Sequence, residues 1–236
     1  MTLNYKLFHL FSVTEIIEPP RKRIRPTTPP PTTTPTTQIP VGGQDIVVVM
    51  DSSVKPGRFR TFKTFVQRLA ENLNIDSGEV RLGLVSYSTR PSLQWNLRDF
   101  NRKDQIINRA ERITYNAGQR NTADAINFAR TRMFVRSNGD RSYARNFIIL
   151  LTGEKESLDR YDAYEAAYEA ERDGINLFTI GYNLDDSAEI SEISTYPLRT
   201  YRHLVSEESE LLELPGVLQY TLNDSKSCLY ISFCKY

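Results

Sequence analysis

Residues 45–53 read DIVVVMDSS, in which five consecutive apolar residues separate Asp45 from Asp51. A continuous apolar run of this length predicts a strand that is buried on both faces, as in a parallel sheet. Related runs occur further along the chain, FIILL at residues 147–151 and INLFTI at residues 175–180. These three runs predict the central strands of one sheet.

The segments between the runs carry apolar residues at helical spacing. After the first run these residues are Phe59, Phe62, Phe65, Val66, Leu69 and Leu73. Asn121 is a candidate N-cap for a later helix, with Asp124 three residues on. Strands that alternate with helices predict an α/β fold, with a doubly wound, mostly parallel central sheet and helices on both faces. Because ligands bind where the strands of such a sheet end, attention falls on loops 51–56, 116–122 and 152–157.

The composition of the 236-residue chain is that of a globular protein with a sizeable core, since 39% of its residues are hydrophobic and 25% are charged. The formal net charge of +1 provides no overall field that would attract nucleic acid. No apolar run approaches the roughly 18 residues that span a bilayer. We therefore expect neither a nucleic-acid partner nor a membrane span.

Enzyme signatures are missing from the loops that follow the strands. No glycine-rich dinucleotide fingerprint follows Met50, and the sequence has neither a phosphate-binding loop of the Walker type nor a G-x-S-x-G elbow. Phosphotransferases of the haloacid dehalogenase type need a second aspartate, as acid/base partner, at the position of Ser53. We therefore expect a protein that is not an enzyme.

The flanks of the folded part differ from it in composition. We assign residues 1–18 as an N-terminal stub, 19–40 as a Pro/Thr-rich linker, 41–222 as the domain and 223–236 as a cysteine-containing C-terminal tail. The stub shows no convincing signal peptide. Eight of the twelve prolines lie in the linker, which is typical of either an O-glycosylated stalk or an unmodified flexible linker.

A basic run, RKRIR at residues 21–25, lies within this linker. It is consistent with a nuclear address, a processing site, a polyanion contact or a solvated stretch of linker. The sequence leaves these alternatives open.

The order and spacing of several segments resemble the von Willebrand factor A domain family over residues 44–222. The matching segments are residues 45–53 (opening strand), 79–88 (second strand), 115–122 (Gly/Thr loop), 147–152 (central strand) and 174–181 (the strand after it). The Pro/Thr segment and a cysteine soon after the last helix are similar to extracellular matrix members such as type VI collagen and matrilins. The resemblance implies the Rossmann-like fold of that family and a non-enzymatic, adhesive function.

The family's usual site implies a bound Mg²⁺, held by D-x-S-x-S after the first strand, a threonine in the Gly/Thr loop and an aspartate after the central strand. Carried over residue by residue, Asp51 and Ser53 match this pattern. The remaining positions fall on Lys55, Arg120 and Gly153 in place of serine, threonine and aspartate. Two of these are cations and the third has no side chain. We therefore expect a degenerate metal site and no cofactor, with Mg²⁺ as the alternative.

A buried Asp51 needs a partner if no metal is bound. We expect Lys55 or Arg120 to pair with Asp51 and to take the electrostatic place of the metal. The alternative is that both cations point into water while Ser53 and backbone N–H groups satisfy the carboxylate. Glu154 substitutes for the missing aspartate only if its loop shifts.

Three residues of the tail bear on the compartment. Asn223 begins an Asn-Asp-Ser sequon and is a candidate glycosylation site. Cys228 and Cys234 close a small loop or bond other domains if the protein is secreted, and stay reduced if it is cytosolic.

Two classes of function remain open. The first is an extracellular, secreted binding or assembly module with a degenerate, metal-free adhesion site. Its partners are extracellular matrix proteins (collagen among them), cell-surface proteins or other A domains. The alternative is an intracellular or nuclear A-domain scaffold that uses the basic run. Glycan favours the first class, and free thiols without glycan favour the second.

Overall fold

A computed structural model describes residues 42–153, 157, 160–184 and 188–223. The strands are β1 (Gln44–Asp51), β2 (Val80–Tyr87), β3 (Pro91–Trp95), β4 (Arg145–Thr152), β5 (Ile175–Tyr182) and β6 (Arg202–Val205). The helices are α1 (Pro56–Asn72), α2 (Lys103–Glu111), α3 (Thr122–Phe128), α4 (Arg160–Arg172), α5 (Ala188–Ile193), α6 (Leu198–Tyr201) and α7 (Glu208–Asn223). A π-helical turn, Ala129–Met133, continues α3, and a 3₁₀ turn, Arg136–Asn138, follows it.

The six strands form one sheet in the order β3-β2-β1-β4-β5-β6. Every neighbouring pair is parallel except β2 and β3, which are antiparallel. The predicted doubly wound α/β fold is confirmed. Because the chain crosses from β1 to β2 on one side and continues from β4 to β5 on the other, the crevice between β1 and β4 is the topological switch point.

The first strand is buried on both faces, as its apolar run predicted. Ile46, Val48 and Met50 pack into the layer that contains α1, α2 and α7. Val47 and Val49 face the opposite layer, which contains α3 and α4. All five side chains are fully buried. Alternate residues of the run therefore pack into opposite cores, which explains why the run contains no polar residue.

Local signals set the helix starts near the switch point. Pro56 is the first residue of α1, where the missing N–H breaks no helical hydrogen bond. Asn121 caps α3, since its Oδ1 accepts from the N–H of Asp124 at 3.1 Å. The predicted N-cap is confirmed. Among the described residues, no helix is long and apolar enough to cross a membrane.

Candidate functional site

The carboxylate of Asp51 lies at the end of β1, at the switch point, and is fully buried. Its Oδ1 accepts from the backbone N–H of Ser53 at 2.8 Å and from the Ser53 hydroxyl at 2.6 Å. Its Oδ2 accepts from the hydroxyl of Thr152, at the end of β4, at 2.9 Å. Both oxygens of the carboxylate are therefore engaged by the protein itself.

The hydroxyl of Thr152 also joins this carboxylate to a cation. Arg120, from the loop before α3, donates from Nη1 to Thr152 Oγ1 at 2.9 Å. The guanidinium therefore reaches Asp51 through one hydroxyl group, across the crevice between β1 and β4. Arg120 is buried, although it lies in a loop.

The partner of Arg120 on its other side is Glu189. The Nη2 of Arg120 forms a short ion pair with Glu189 Oε2, and the two side chains expose 4% and 1% of their surface. The same oxygen accepts from the N–H of Ser157 at 2.8 Å, while the Ser157 hydroxyl donates to the carbonyl of Arg120 at 2.8 Å. Ser157 therefore fastens both members of the pair to the loop after β4.

We call these five residues the buried relay: Asp51, Thr152, Arg120, Glu189 and Ser157. It contains two carboxylates and one guanidinium. Burial raises the pKa of Asp51, while hydrogen bonds from Ser53 and Thr152 and the charge of Arg120 act in the opposite direction. Burial, and secondarily the charge of Asp51, also raises the pKa of the Tyr87 phenol. Within these five residues, one guanidinium group faces two carboxylates.

The remaining two positions of the expected metal site do not join the relay. Lys55 is exposed and precedes α1 without a capping hydrogen bond from its side chain. Gly153 is buried, and its carbonyl accepts from Arg58 Nη1 at 2.7 Å. A Cβ atom at Gly153 would lie 3.1 Å from Val54 and 3.4 Å from the Cδ of Arg58. These two side chains occupy the space beside Gly153.

Asp51 was expected to pair directly with Lys55 or Arg120, and the structure shows a different arrangement. The expectation for Lys55 is wrong, because its side chain is exposed. Arg120 is buried, but the link to Asp51 that the structure describes runs through Thr152, and its ion-pair partner is Glu189. Ser53 matches the alternative expectation, in which Ser53 and backbone N–H groups satisfy the carboxylate: its N–H and its hydroxyl both donate to Oδ1 of Asp51.

The donor set fits a divalent cation poorly. Magnesium and calcium ions take oxygen ligands and favour several anionic or carbonyl donors. At this site the oxygens of Asp51, Ser53 and Thr152 already bond to one another, and the guanidinium of Arg120, the residue that the resemblance assigns to the threonine position, donates to Thr152. In the described part of the chain, no group of three or more His, Cys, Asp or Glu residues has the arrangement of a metal site.

Sequence reasoning missed Glu189 and Thr152. Glu189 lies in α5, 69 positions from Arg120, and its spacing carries no signal. A charged residue at the start of an otherwise apolar helix face is a weak hint, since Ile190 and Ile193 beside it are buried. Thr152 ends the segment expected to be the central strand, and nothing in the sequence indicated that its hydroxyl would bond to Asp51.

Several predicted residues lie outside what the structure describes. These are Glu154, Cys228 and Cys234, and the side chain of Asn223, whose backbone ends α7. The stub, the linker and the basic run at residues 21–25 also lie outside. The expected disulfide and glycosylation sites therefore stay predictions.

Comparison with known proteins agrees with the geometry of the sheet and the switch point. The model of the von Willebrand factor type A domain matches residues 45–216. The collagen alpha-1(XII) chain of Notophthalmus viridescens is 31% identical over 172 residues, which is 72% of this chain and 18% of that protein. Human integrin alpha-10 is 30% identical over 194 residues, which is 78% of this chain and 17% of that protein. The chain thus spans less than a fifth of either curated relative.

A solved structure has the same fold. It is proximal thread matrix protein 1 from the mussel byssus, with a zinc-occupied MIDAS motif. The TM-score is 0.68 at 19% sequence identity, over 77% of this chain and 48% of that one. At this identity the likeness extends to the fold alone.

Proposed function

Because the chain belongs to the von Willebrand factor type A domain family, we propose that it is a non-enzymatic, extracellular binding or assembly module whose family metal site is closed. In this proposal it contacts extracellular matrix or cell-surface proteins, with collagen and other A domains among the candidates. Binding proceeds without Mg²⁺ or another divalent ion.

One observation carries the proposal: Arg120, which the resemblance assigns to the position of a ligand threonine, is buried and paired with Glu189. A positive charge at this point repels a divalent cation. At an effective dielectric of about 20, two unit charges about 4 Å apart interact by about 4 kcal/mol, which opposes metal entry. Glu189 holds the guanidinium in place, so that expelling it would leave a buried carboxylate without its partner.

The extracellular setting is supported by the kind of protein that this chain is similar to. A collagen is a matrix protein and an integrin is a cell-surface receptor, and both share about 30% identity with the chain. The intracellular scaffold has no comparable support, because it rests on the basic run at residues 21–25. The absence of a recognisable enzyme motif after β1, together with this kinship, supports the non-enzymatic assignment.

The proposal is tested by binding the full chain to immobilised fibrillar collagen, first with millimolar Mg²⁺ and then with EDTA. We expect the same affinity under both conditions, and the same affinity again for Asp51→Asn. Binding that requires Mg²⁺ and disappears in Asp51→Asn would overturn the closed site. A second surface coated with the chain itself tests the assembly role in the same two buffers.

A further inference from the structure

A group of arginines surrounds one turn at the opposite end of the sheet from the relay. We call it the edge arginine cluster; its members are Arg81, Arg98, Arg132 and Arg136. Arg81 lies at the start of β2, and the turn, Asn138–Gly139, precedes β4. Since an eight-residue strand is about 20 Å long or slightly more, the cluster is separate from the Asp51 site.

Short contacts to the turn bring together the guanidinium group of Arg81 and the backbones of the other three arginines. The Nη1 of Arg81 donates to the carbonyl of Gly139 at 2.7 Å. The backbone N–H of Arg98 donates to the carbonyl of Asn138 at 3.2 Å. The Nδ2 of Asn138 donates to the carbonyl of Arg132 at 2.6 Å, and Arg136 begins the 3₁₀ turn that ends at Asn138.

Gly139 is required for this approach. Its φ of 104° is in the left-handed region that favours glycine. A Cβ atom there would lie 2.6 Å from the backbone nitrogen of Arg98 and 2.8 Å from its Cβ. The turn and the loop after β3 are therefore in direct backbone contact, and no side chain separates them.

Within the π-helical turn, Met133 points into the core and Arg132 lies at the surface. Met133 is fully buried, and its Cε lies in the space that a side chain at Gly83 would take, 2.8 Å from the ideal Cβ position. Arg132, one position earlier, is exposed. Wide turns of this kind occur frequently at functional sites.

Three of the arginines carry free charge. Arg98, Arg132 and Arg136 are exposed, and within the described residues their guanidinium groups have no ion pair or hydrogen bond. Other arginines of the same stretch are committed internally, since Arg130 pairs with Asp173 and Arg141 pairs with Asp45.

Three carboxylates lie within four sequence positions of a cluster member, and none of them forms an ion pair with the cluster among the described residues. Glu79 accepts from the Nδ2 of Asn74 at 2.9 Å. Asp99 accepts from the backbone and side-chain nitrogens of Asn96 at 2.7 and 3.2 Å. Asp140 accepts from Asn146 at 3.0 Å. Four guanidinium groups against these three carboxylates leave a surplus of one positive charge in this region.

We propose that the edge arginine cluster binds a linear sulfated polysaccharide. Guanidinium groups present a planar fork of donors that matches a sulfate or a carboxylate group. Three exposed arginines around one turn suit a ligand that repeats its charge along a chain. The choice of a polysaccharide rests on the proposed extracellular function.

The test uses heparin as the probe and the full chain as the protein. Every protein in this experiment carries the substitutions Arg21→Gln, Lys22→Gln, Arg23→Gln and Arg25→Gln, so that the basic run of the linker does not contribute to binding. Affinity is measured from 50 to 300 mM NaCl for this background and for Arg98→Gln/Arg132→Gln/Arg136→Gln. The matched control is Lys55→Gln/Arg60→Gln/Arg90→Gln, which removes three exposed cations from other parts of the surface.

We expect the cluster triple to weaken heparin binding at low salt. The slope of log affinity against log salt should become shallower by about 2 to 3, at about 0.7–0.9 for each lost contact. The control triple should leave the slope nearly unchanged, although it alters net charge equally. An Arg-to-Lys triple at the cluster should restore the slope, which separates lost charge from misfolding.

An equal effect of the two triples, or no effect of the cluster triple, would overturn the proposal. Competition by polyglutamate as effective as that by heparin, at equal charge concentration, would overturn the choice of a polysaccharide. This outcome is independent of the collagen experiment. If the chain binds heparin through the cluster but does not bind matrix proteins, this inference holds and the proposed function fails.

Discussion

Arg120 and Glu189 form an ion pair that exposes 4% and 1% of the two side chains, although 69 positions separate them in the sequence. The pair joins the loop before α3 to α5 and reaches Asp51 through Thr152. A buried pair contributes little net stability compared with apolar residues, but breaking it exposes the full cost of an unpaired buried charge.

The first prediction concerns this pair. Arg120→Ala should lower the free energy of unfolding by about 3–5 kcal/mol, because it leaves Glu189 charged and buried without its guanidinium. Glu189→Ala should cost a similar amount, and the double variant should cost less than the sum. Urea unfolding of the wild type and the three variants gives the coupling free energy between Arg120 and Glu189.

Arg172→Ala is the matched control for this experiment. Arg172 pairs with Glu169 at 2.8 Å, but the side chains are 61% and 35% exposed. We expect its unfolding curve to overlay that of the wild type. Additive effects of Arg120→Ala and Glu189→Ala would contradict the role assigned to the buried pair.

The second prediction concerns the hydroxyl that bridges Arg120 and Asp51. Thr152→Val keeps the shape of the side chain and removes both hydrogen bonds, which should cost about 1–3 kcal/mol because two buried polar groups lose a partner. Thr152→Ser retains the hydroxyl and should recover most of the loss. Equal stability of Thr152→Val and the wild type would mean that the bridge contributes nothing.

The fold was predictable from sequence because its signals are local. The run at residues 46–50 indicates burial on both faces, and the N-cap of α3 at Asn121 follows from side-chain and backbone chemistry within three residues. The relay was only half predictable. Arg120 was identified by its place in the Gly/Thr loop, whereas the partner Glu189 is set by the packing of α5 and leaves no periodic trace in the sequence.

The third prediction concerns the pH dependence of stability. Burial raises the pKa of Asp51 in the folded state, so its ionised form opposes folding. The stability that its protonation contributes is present below the unfolded pKa of about 3.9 and is lost as the pH rises through the higher folded pKa. Asp51→Asn keeps an oxygen for Ser53 and carries no charge. It should therefore gain on the wild type as the pH rises from 4 to 7.

The measurement is the difference in unfolding free energy between wild type and Asp51→Asn across that range, in which the other titrating groups cancel. Asp51→Ala serves as the contrast, since it leaves the N–H and hydroxyl of Ser53 without their acceptor and should destabilise throughout. A difference between wild type and Asp51→Asn that does not vary with pH would contradict the raised pKa.

The fourth prediction concerns the other end of the sheet. Arg141 donates to Asp45 from its backbone N–H at 2.7 Å and from Nε at 2.9 Å, and both residues are buried. Arg141→Ala should cost about 3–5 kcal/mol by leaving Asp45 unpaired. Its effect should add to that of Arg120→Ala, because the two ion pairs lie at opposite ends of the strands and share no partner. Strong coupling between them in a double-variant cycle would contradict this.

The central claim is that an internal cation closes the family's metal site, and thermal unfolding tests it most directly. Residues 41–236 are heated in EDTA and in millimolar Mg²⁺ or Mn²⁺, beside a variant that restores the family pattern, Lys55→Ser/Arg120→Thr/Gly153→Asp. A metal at about 100 times its dissociation constant stabilises by about 2.7 kcal/mol, or roughly 5–10 °C for a domain of this size. We predict no shift for the wild type and a shift for the restored variant. A shift of that size in the wild type, lost in Asp51→Ala, would contradict the account.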